Sequence, residues 1–381
     1  MKILFFNSFS LRVGSGPEHW LMDVSQRLQK FNNQVTIVSP TCGNQDERFS
    51  HVEVTKRLGK VKYEEFSCVK FPKFSSSPLP INMLDTFTKK ADVIYFLNGF
   101  ALQDIFVTLD KMITKTPIIC GLHGPLITTY SLHNLYVSLI FKRNLRLANA
   151  CHVLNPFYVE LLHRWRINNV YLIPNGIDTE KFQPLNDINK GEKFRVLFIG
   201  RFAYEKGIDI LCKAIDLLNR DKSLLENVEF TLIGRGPLLP IVQRTIQRHY
   251  NVVMKNFVAE EELTKEYCNH HLFALPARFE TFPLPPLEAQ ACGLPIITTD
   301  IPGTREQVSL DGGAVIQVEN YFALAKEITK YYYLWKNDRE RYEFQCDVAR
   351  KNVLVNFEIG KMVSRIYNLM CQVRKQRFTG A

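Results

Sequence analysis

One feature constrains this chain more than any other: an alternation of short β-branched runs with amphipathic stretches is played out twice. It starts at the N-terminus, stops at the polar segment 184–193, and begins afresh at Phe194 with FRVLFIG. Strands joined by helix-length connections must pair in parallel, and a parallel sheet needs helices on both faces. In the first half, strands are expected at residues 2–6, 34–39, 92–97, 117–122, 151–154 and 170–173, with helices at 17–31, 102–112, 132–149 and 157–165. The second half reads as strands at 194–200, 228–233, 251–257, 272–275, 295–299 and 314–318, again separated by helices, and as helical from Tyr321 onwards. Segment 41–80 is irregular, polar and basic and reads as wrapping one edge, as a solvated loop or edge strand or as a place for acceptor or lipid contacts. A chain of 381 residues exceeds what one core usually serves. The expectation is therefore α/β, with two doubly wound domains at 1–177 and 178–356. Ligands of such sheets bind beyond the carboxyl ends of the strands, so two facing halves imply a cleft between those ends.

Composition excludes several classes. No apolar run approaches the length of a membrane-spanning helix. The opening MKILFFNSFSLRV is broken by Asn7, Ser8, Ser10 and Arg12, and reads as a buried first strand rather than a secretory leader. Nine cysteines without a C-x-x-C pair suggest neither a metal framework nor a disulfide set, and a reducing cytoplasmic setting fits them. Residues 1–170 hold 20 Lys/Arg against 12 Asp/Glu, whereas 171–381 hold 28 against 26. A basic first half would suit peripheral contact with an anionic membrane surface, and equally a plain solvated surface. No nucleic-acid module is visible, so no nucleic-acid partner is expected.

Chemistry concentrates at the ends of strands. Gly14-x-Gly16 follows the first strand and opens a helix, where backbone N–H groups can meet an anion, but His19 stands where a dinucleotide fingerprint has its third glycine. In the second half GRFAYEKGID places Arg201 and Lys206 beside a helix start, a pair of cations suited to a diphosphate and equally readable as two surface residues. Ile233-Gly234-Arg235-Gly236-Pro237 closes another strand at the same edge. In ARFETFPLPPLEAQACGLP, residues 277–295, Pro283, Pro285 and Pro286 forbid a single helix, so Glu280 must lie on a loop and Glu288 on the helix that Pro286 begins.

Taken in order, these segments resemble the retaining nucleotide-sugar glycosyltransferases of GT-B fold, the glycogen synthase and sucrose synthase-like superfamily (glycosyltransferase family 4, group 1 type). The resemblance runs through Gly16 and Glu18, the strand ending in His123-Gly124, the linker PNGIDTEKF, GRFAYEKGID, IGRGP, and the E-x7-E element from Glu280 to Glu288. It implies two facing Rossmann-like domains with an interdomain cleft, the last helix, 357–381, completing the first.

The resemblance further implies that a sugar moves from a nucleoside diphosphate to an acceptor hydroxyl of a glycan, lipid-linked saccharide or glycolipid, with retention at the anomeric carbon. His123 and Glu280 would serve the reaction at the donor sugar. Gly16, Arg201, Lys206, Gly236, Phe282, Leu284 and Glu288 would bind the donor, Glu288 at the ribose hydroxyls. No metal and no cofactor beyond the sugar nucleotide are expected. The family loop commonly reads E-G-F-G-L-P; here Thr281 and Pro283 replace both glycines, and Pro283 has no N–H to offer a sugar hydroxyl. Ser15 likewise stands where a second glycine is usual. The alternatives are a sugar-nucleotide epimerase or phosphorylase-like enzyme on the same architecture, disfavoured by the E-x7-E element with its two cations, and a non-catalytic nucleotide-sugar-binding protein.

Overall fold

The computed structural model describes residues 1–7, 9–13, 16–41, 49–66, 68–69, 79–80, 91–97, 116–124, 126, 141–186, 188 and 191–379. The chain divides into two compact units, Met1–Pro174 with Gly360–Ala381, and Asn175–Ile359. Each is built around one wholly parallel sheet.

In the first unit the strands are β1 (Lys2–Asn7), β2 (Gln34–Pro40), β3 (Lys62–Phe66), β6 (Val93–Leu97), β7 (Ile118–Leu122), β8 (Ala150–Val153) and β9 (Val170–Leu172), ordered β3-β2-β1-β6-β7-β8-β9. A separate antiparallel pair joins β4 (Cys68–Val69) to β5 (Leu79–Pro80). The central strands are apolar throughout because both faces are covered: every residue of VIYFL in β6 and of IICGL in β7 is buried. The helix Gly16–Lys30 packs one face with Trp20, Leu21, Val24 and Leu28 buried. The last helix, Ile359–Thr379, belongs to this packing: Tyr367 stacks on Phe31 at 5.5 Å and the Arg365 guanidinium donates to the Leu172 carbonyl at 2.8 Å.

The second unit has β10 (Phe194–Ile199), β11 (Val228–Ile233), β12 (Val252–Lys255), β13 (Leu272–Leu275), β14 (Ile296–Thr299) and β15 (Gly313–Ile316), ordered β12-β11-β10-β13-β14-β15. In both units the chain builds outward from the first strand to one side and then restarts on the other. The reversal falls between β1 and β6 in one sheet and between β10 and β13 in the other, and it is at such a reversal that the loops leaving two neighbouring strands part and leave a crevice.

Two sequence expectations need correction. Segment 41–80 does supply an edge strand, β3 pairing with β2 at the sheet edge, but it is not otherwise simply irregular: the helix His51–Leu58 begins at a capping box, in which Ser50 accepts from the Glu53 N–H while the Glu53 side chain accepts from the Ser50 N–H. The helix expected at 132–149 ends earlier, its described part being Lys142–Leu147, because Ala150 already starts β8. The helix expected at 102–112 lies outside the described residues, as do Gly14 and Ser15. Among the described residues no helix is long and apolar enough to cross a membrane.

Candidate active site

In the second unit the loops that leave β10 and β13 carry the charged groups. After β10 the backbone runs through Gly200 and Arg201 into a 3-10 turn, Tyr204–Lys206, and then into the helix Ile208–Leu218. The joint is Gly207, with φ 68°; a Cβ there would lie 1.9 Å from the Pro276 carbonyl oxygen. Only glycine permits both the left-handed backbone and this close approach of the β13 loop. The approach has a consequence for charge, since it brings the Lys206 ammonium into an ion pair with the Glu280 carboxylate, both half-buried. Arg201, more exposed, pairs with Glu205.

Arg278 fastens these loops. Its guanidinium takes both carboxylate oxygens of Asp209 at 2.7 Å, pairs with Glu319, donates to the Tyr204 carbonyl at 2.7 Å and lies 3.9 Å over the Tyr204 ring. Its own backbone N–H reaches the Glu205 carbonyl at 2.8 Å. Burial pushes the Asp209 carboxyl up, but the adjoining guanidinium outweighs it and leaves Asp209 below its ordinary value. Neither Arg278 nor Asp209 was singled out from the sequence, although Arg278 stands two residues before Glu280.

The segment 281–284 is held from beneath. Phe282 is buried, its ring 5.6 Å from Phe357, and its carbonyl accepts from the Asn175 amide at 2.9 Å. The Pro283 carbonyl accepts from Gln307 at 2.7 Å. Gly303, with φ 92°, fits under the Thr281 carbonyl, which a Cβ would approach to 1.9 Å. Leu284 is half-buried and its carbonyl opens the helix Pro285–Ala291, accepting from the Leu287 and Glu288 N–H groups. Glu288, half-buried, accepts from the fully buried Tyr267 hydroxyl at 2.6 Å. Burial, and then the Glu288 charge, hold that phenol well above its usual range. Gly236 lies against Phe202, whose carbonyl oxygen a Cβ would meet at 2.5 Å.

The first unit is different in kind. His123 leaves β7 buried, its ring 4.2 Å from Trp20, and its Nε2 lies 3.2 Å from the Tyr95 hydroxyl. Burial, with His152 beside it, keeps the His123 ring well below the ordinary imidazole value. Gly16 begins its helix with nothing within 4 Å of the place a Cβ would take. Glu18, in the first turn, is buried, with the Asn7 amide at 3.5 Å. The expected site residues thus fall into two sets: Arg201, Lys206, Gly236, Glu280, Phe282, Leu284 and Glu288 in the second unit, Gly16 and His123 in the first.

Comparison with known proteins agrees with this architecture. Residues 14–181 match the family described as Glycosyltransferase Family 4, and residues 179–344 that described as Glycosyl transferases group 1. The chain is built of these two glycosyltransferase domains, and its fold is GT-B. A protein from the cps region of Klebsiella pneumoniae is 28% identical over 50% of this chain and 53% of its own length, so the chain spans about half of that relative. One subunit of the human phosphatidylinositol N-acetylglucosaminyltransferase is 25% identical over 92% of this chain and 76% of its own length. Among solved structures, Anabaena HepE in complex with UDP and glucose superposes with a TM-score of 0.78 at 17% identity, over 97% of this chain and 99% of that one. Sucrose-phosphate synthase from Thermosynechococcus elongatus does so with 0.75 at 16%, over the whole of both chains.

Proposed function

We propose that this protein transfers a sugar, with retention, from a nucleoside diphosphate to a hydroxyl of a carbohydrate or lipid-linked acceptor. The observation that carries the reading is the Lys206–Glu280 pair where the β10 and β13 loops part, with Arg201 on the same loop as Lys206 and Glu288 one helix turn beyond the 281–284 segment. The Lys206 ammonium offsets the Glu280 carboxylate, so a diphosphate binding at this loop would not meet that negative charge unopposed. Arg201 and Lys206 would then take the charge that develops on the leaving diphosphate as the bond from its oxygen to the anomeric carbon breaks. The acceptor oxygen forms its bond to that carbon on the same face, and its proton passes to the departing phosphate oxygen. Glu288 suits the ribose diol, since a carboxylate only accepts hydrogen bonds and hydroxyls donate them. Glu280 and His123 serve the donor sugar, and Gly16 leaves room for the phosphates. No metal or further cofactor is part of this proposal.

The names of related proteins support the substrate classes. HepE was solved with UDP and with UDP-glucose, and the human relative is named for transfer to phosphatidylinositol. A lipid-linked acceptor would also give the basic first half a use at an anionic surface. The test is a thermal-shift screen against UDP-, GDP- and ADP-sugars, where a ligand at about 100 times its Kd adds about 2.7 kcal/mol of stability. The responding donor is then measured by calorimetry with Arg201→Ala and Glu288→Ala. Weaker binding in both is expected; unchanged affinity in both would remove the assignment. Proton NMR of the first-formed product reads the anomeric configuration, and inversion would refute the retaining reaction. Co-sedimentation with anionic vesicles at low and high salt checks the surface contact, which absence of salt-sensitive binding would exclude.

A further inference from the structure

We propose that Tyr95 and His152 are positioning residues for His123, fixing its imidazole as the neutral tautomer protonated at Nε2 and leaving Nδ1 as the atom that accepts a hydrogen bond. The inference rests on the reading above for what His123 faces, but its structural part stands on three neighbouring strands of the first unit.

The strands put these groups on one face. Residues paired across a parallel ladder share a face, as do residues two apart in a strand. Tyr95 pairs with Ile119 and Gly121 pairs with His152, so Tyr95, Ile119, Gly121 and His152 all project to the same side. Gly121 is the gap in that row: a Cβ on it would lie 2.3 Å from the Tyr95 hydroxyl oxygen. The Tyr95 ring therefore lies across Gly121 and brings its hydroxyl to His152 Nδ1, while His123, two residues beyond Gly121, meets the same hydroxyl from the other side. Trp20 covers the cluster, its ring 5.5 Å from Tyr95 and 4.2 Å from His123, and its indole N–H donates to the Met362 sulfur at 3.2 Å.

The direction of each hydrogen bond follows from one fixed end. His152 Nε2 lies 2.7 Å from the Ile173 carbonyl oxygen, which can only accept, so the Nε2 proton is there. A neutral imidazole has one N–H, hence His152 Nδ1 accepts and Tyr95 donates to it. The single phenolic proton being committed, the Tyr95 oxygen faces His123 as an acceptor, and His123 Nε2 must carry the proton. Burial favours the neutral form of all three groups, His152 being lowered to about 4. Any hydrogen bond made at the other nitrogen of this ring is thus one that Nδ1 accepts, and the ring acts as an oriented acceptor.

The relay can be read without any substrate. In the full chain labelled with ¹⁵N-histidine, the His123 signals are assigned by their loss in His123→Gln. Wild type is expected to show Nε2 protonated and Nδ1 bare; the opposite pattern overturns the proposal. His152→Leu removes the acceptor for the Tyr95 proton, which should turn to His123 Nε2 and drive the imidazole to the Nδ1–H tautomer. His152→Gln, whose amide can accept from Tyr95 and donate to Ile173, should keep the wild-type pattern. An unchanged pattern in His152→Leu overturns the relay. Should that variant not fold, Tyr95→Phe serves, and His123 should then populate both tautomers; a retained pure Nε2–H form counts against the proposal. With the donor found in the screen, His152→Leu is expected to lower kcat roughly tenfold, about the worth of one hydrogen bond, with KM changed little. His152→Gln should stay within about twofold; equal losses in the two variants would reject the positioning role. Absence of turnover in wild type would strike at the proposed activity and leave the tautomer measurement standing.

Discussion

The two units share a strand order and differ in the side chains that their strands and loops bring together. In the second unit these groups are ionised: Lys206 with Glu280, Arg201 with Glu205, and Arg278 with two carboxylates. In the first, strands β6 to β8 and the loop after β7 gather a buried cluster held neutral instead, two imidazoles and a phenol under an indole. One parallel sheet can be fitted for opposite electrostatic tasks by the residues on a few loops and one strand face. Ionised pairs suit a ligand that brings charge of its own, such as a diphosphate. An uncharged hydrogen-bonding cluster suits a hydroxyl.

The contrast is broken most severely at Arg278. Its side chain is 9% exposed and that of Asp209 16%, so Arg278→Ala strands a carboxylate out of water. A loss of about 3 kcal/mol or more is expected, measured as a lowered denaturant midpoint. The neutral cluster predicts a pH dependence of comparable size. His152 has a folded value of about 4 against an ordinary value of about 6.5 unfolded, so between those limits the unfolded chain binds protons that the folded chain does not. Stability should be fully present above about pH 6.5 and fall as the pH drops toward about 4, by on the order of 3 kcal/mol for this residue alone. His270, lowered to about 4 by burial in the second unit, adds a share that His270→Gln removes. A flat midpoint from pH 7 to 4.5 in His270→Gln would show that the first unit's imidazoles are not held neutral.

Glycines sharpen the comparison with smaller effects. Gly207→Ala should cost about 2 kcal/mol, because both its backbone angle and the Pro276 carbonyl refuse a methyl group. Lys206→Ala should weaken the donor about tenfold by calorimetry, the equivalent of about 1.4 kcal/mol. Gly16→Ala, open on the side a Cβ would take, should leave the midpoint within about 0.5 kcal/mol. If that variant nevertheless loses donor turnover, the opening at Gly16 serves a ligand and not the fold.

The strands and the charged loops were legible because their signals are local. Apolar runs mark the strands, glycine and proline mark where each ends, and Arg201, Lys206, Glu280 and Glu288 lie within a few residues of such marks. Even the helix His51–Leu58 carried local signs, Ser50-x-x-Glu53 and the i, i+4 spacing of Val54 and Leu58, in a stretch whose polar and basic composition reads as an irregular edge. Tyr95 and His152 gave no such sign. Each sits inside an apolar run that reads as core, and their meeting depends on three strands lying side by side with a glycine in the middle one. Arg278 was hidden for a related reason: Asp209 and Glu319, its partners, are 69 and 41 residues away.

The anchoring of segment 281–284 has a consequence for how a sugar would be met. Asn175 and Gln307 hold two successive carbonyls, and Gly303 supports a third. Fixing a residue's backbone costs about 1–2 kcal/mol of conformational entropy, and here that cost is borne when the chain folds. A ligand arriving at this segment encounters a surface already in one shape, so selection among sugars would act through fit rather than through the expense of ordering a loop. Loosening the segment at Gln307, which carries no charge of its own, should therefore blunt discrimination between donors before it abolishes binding of any one of them.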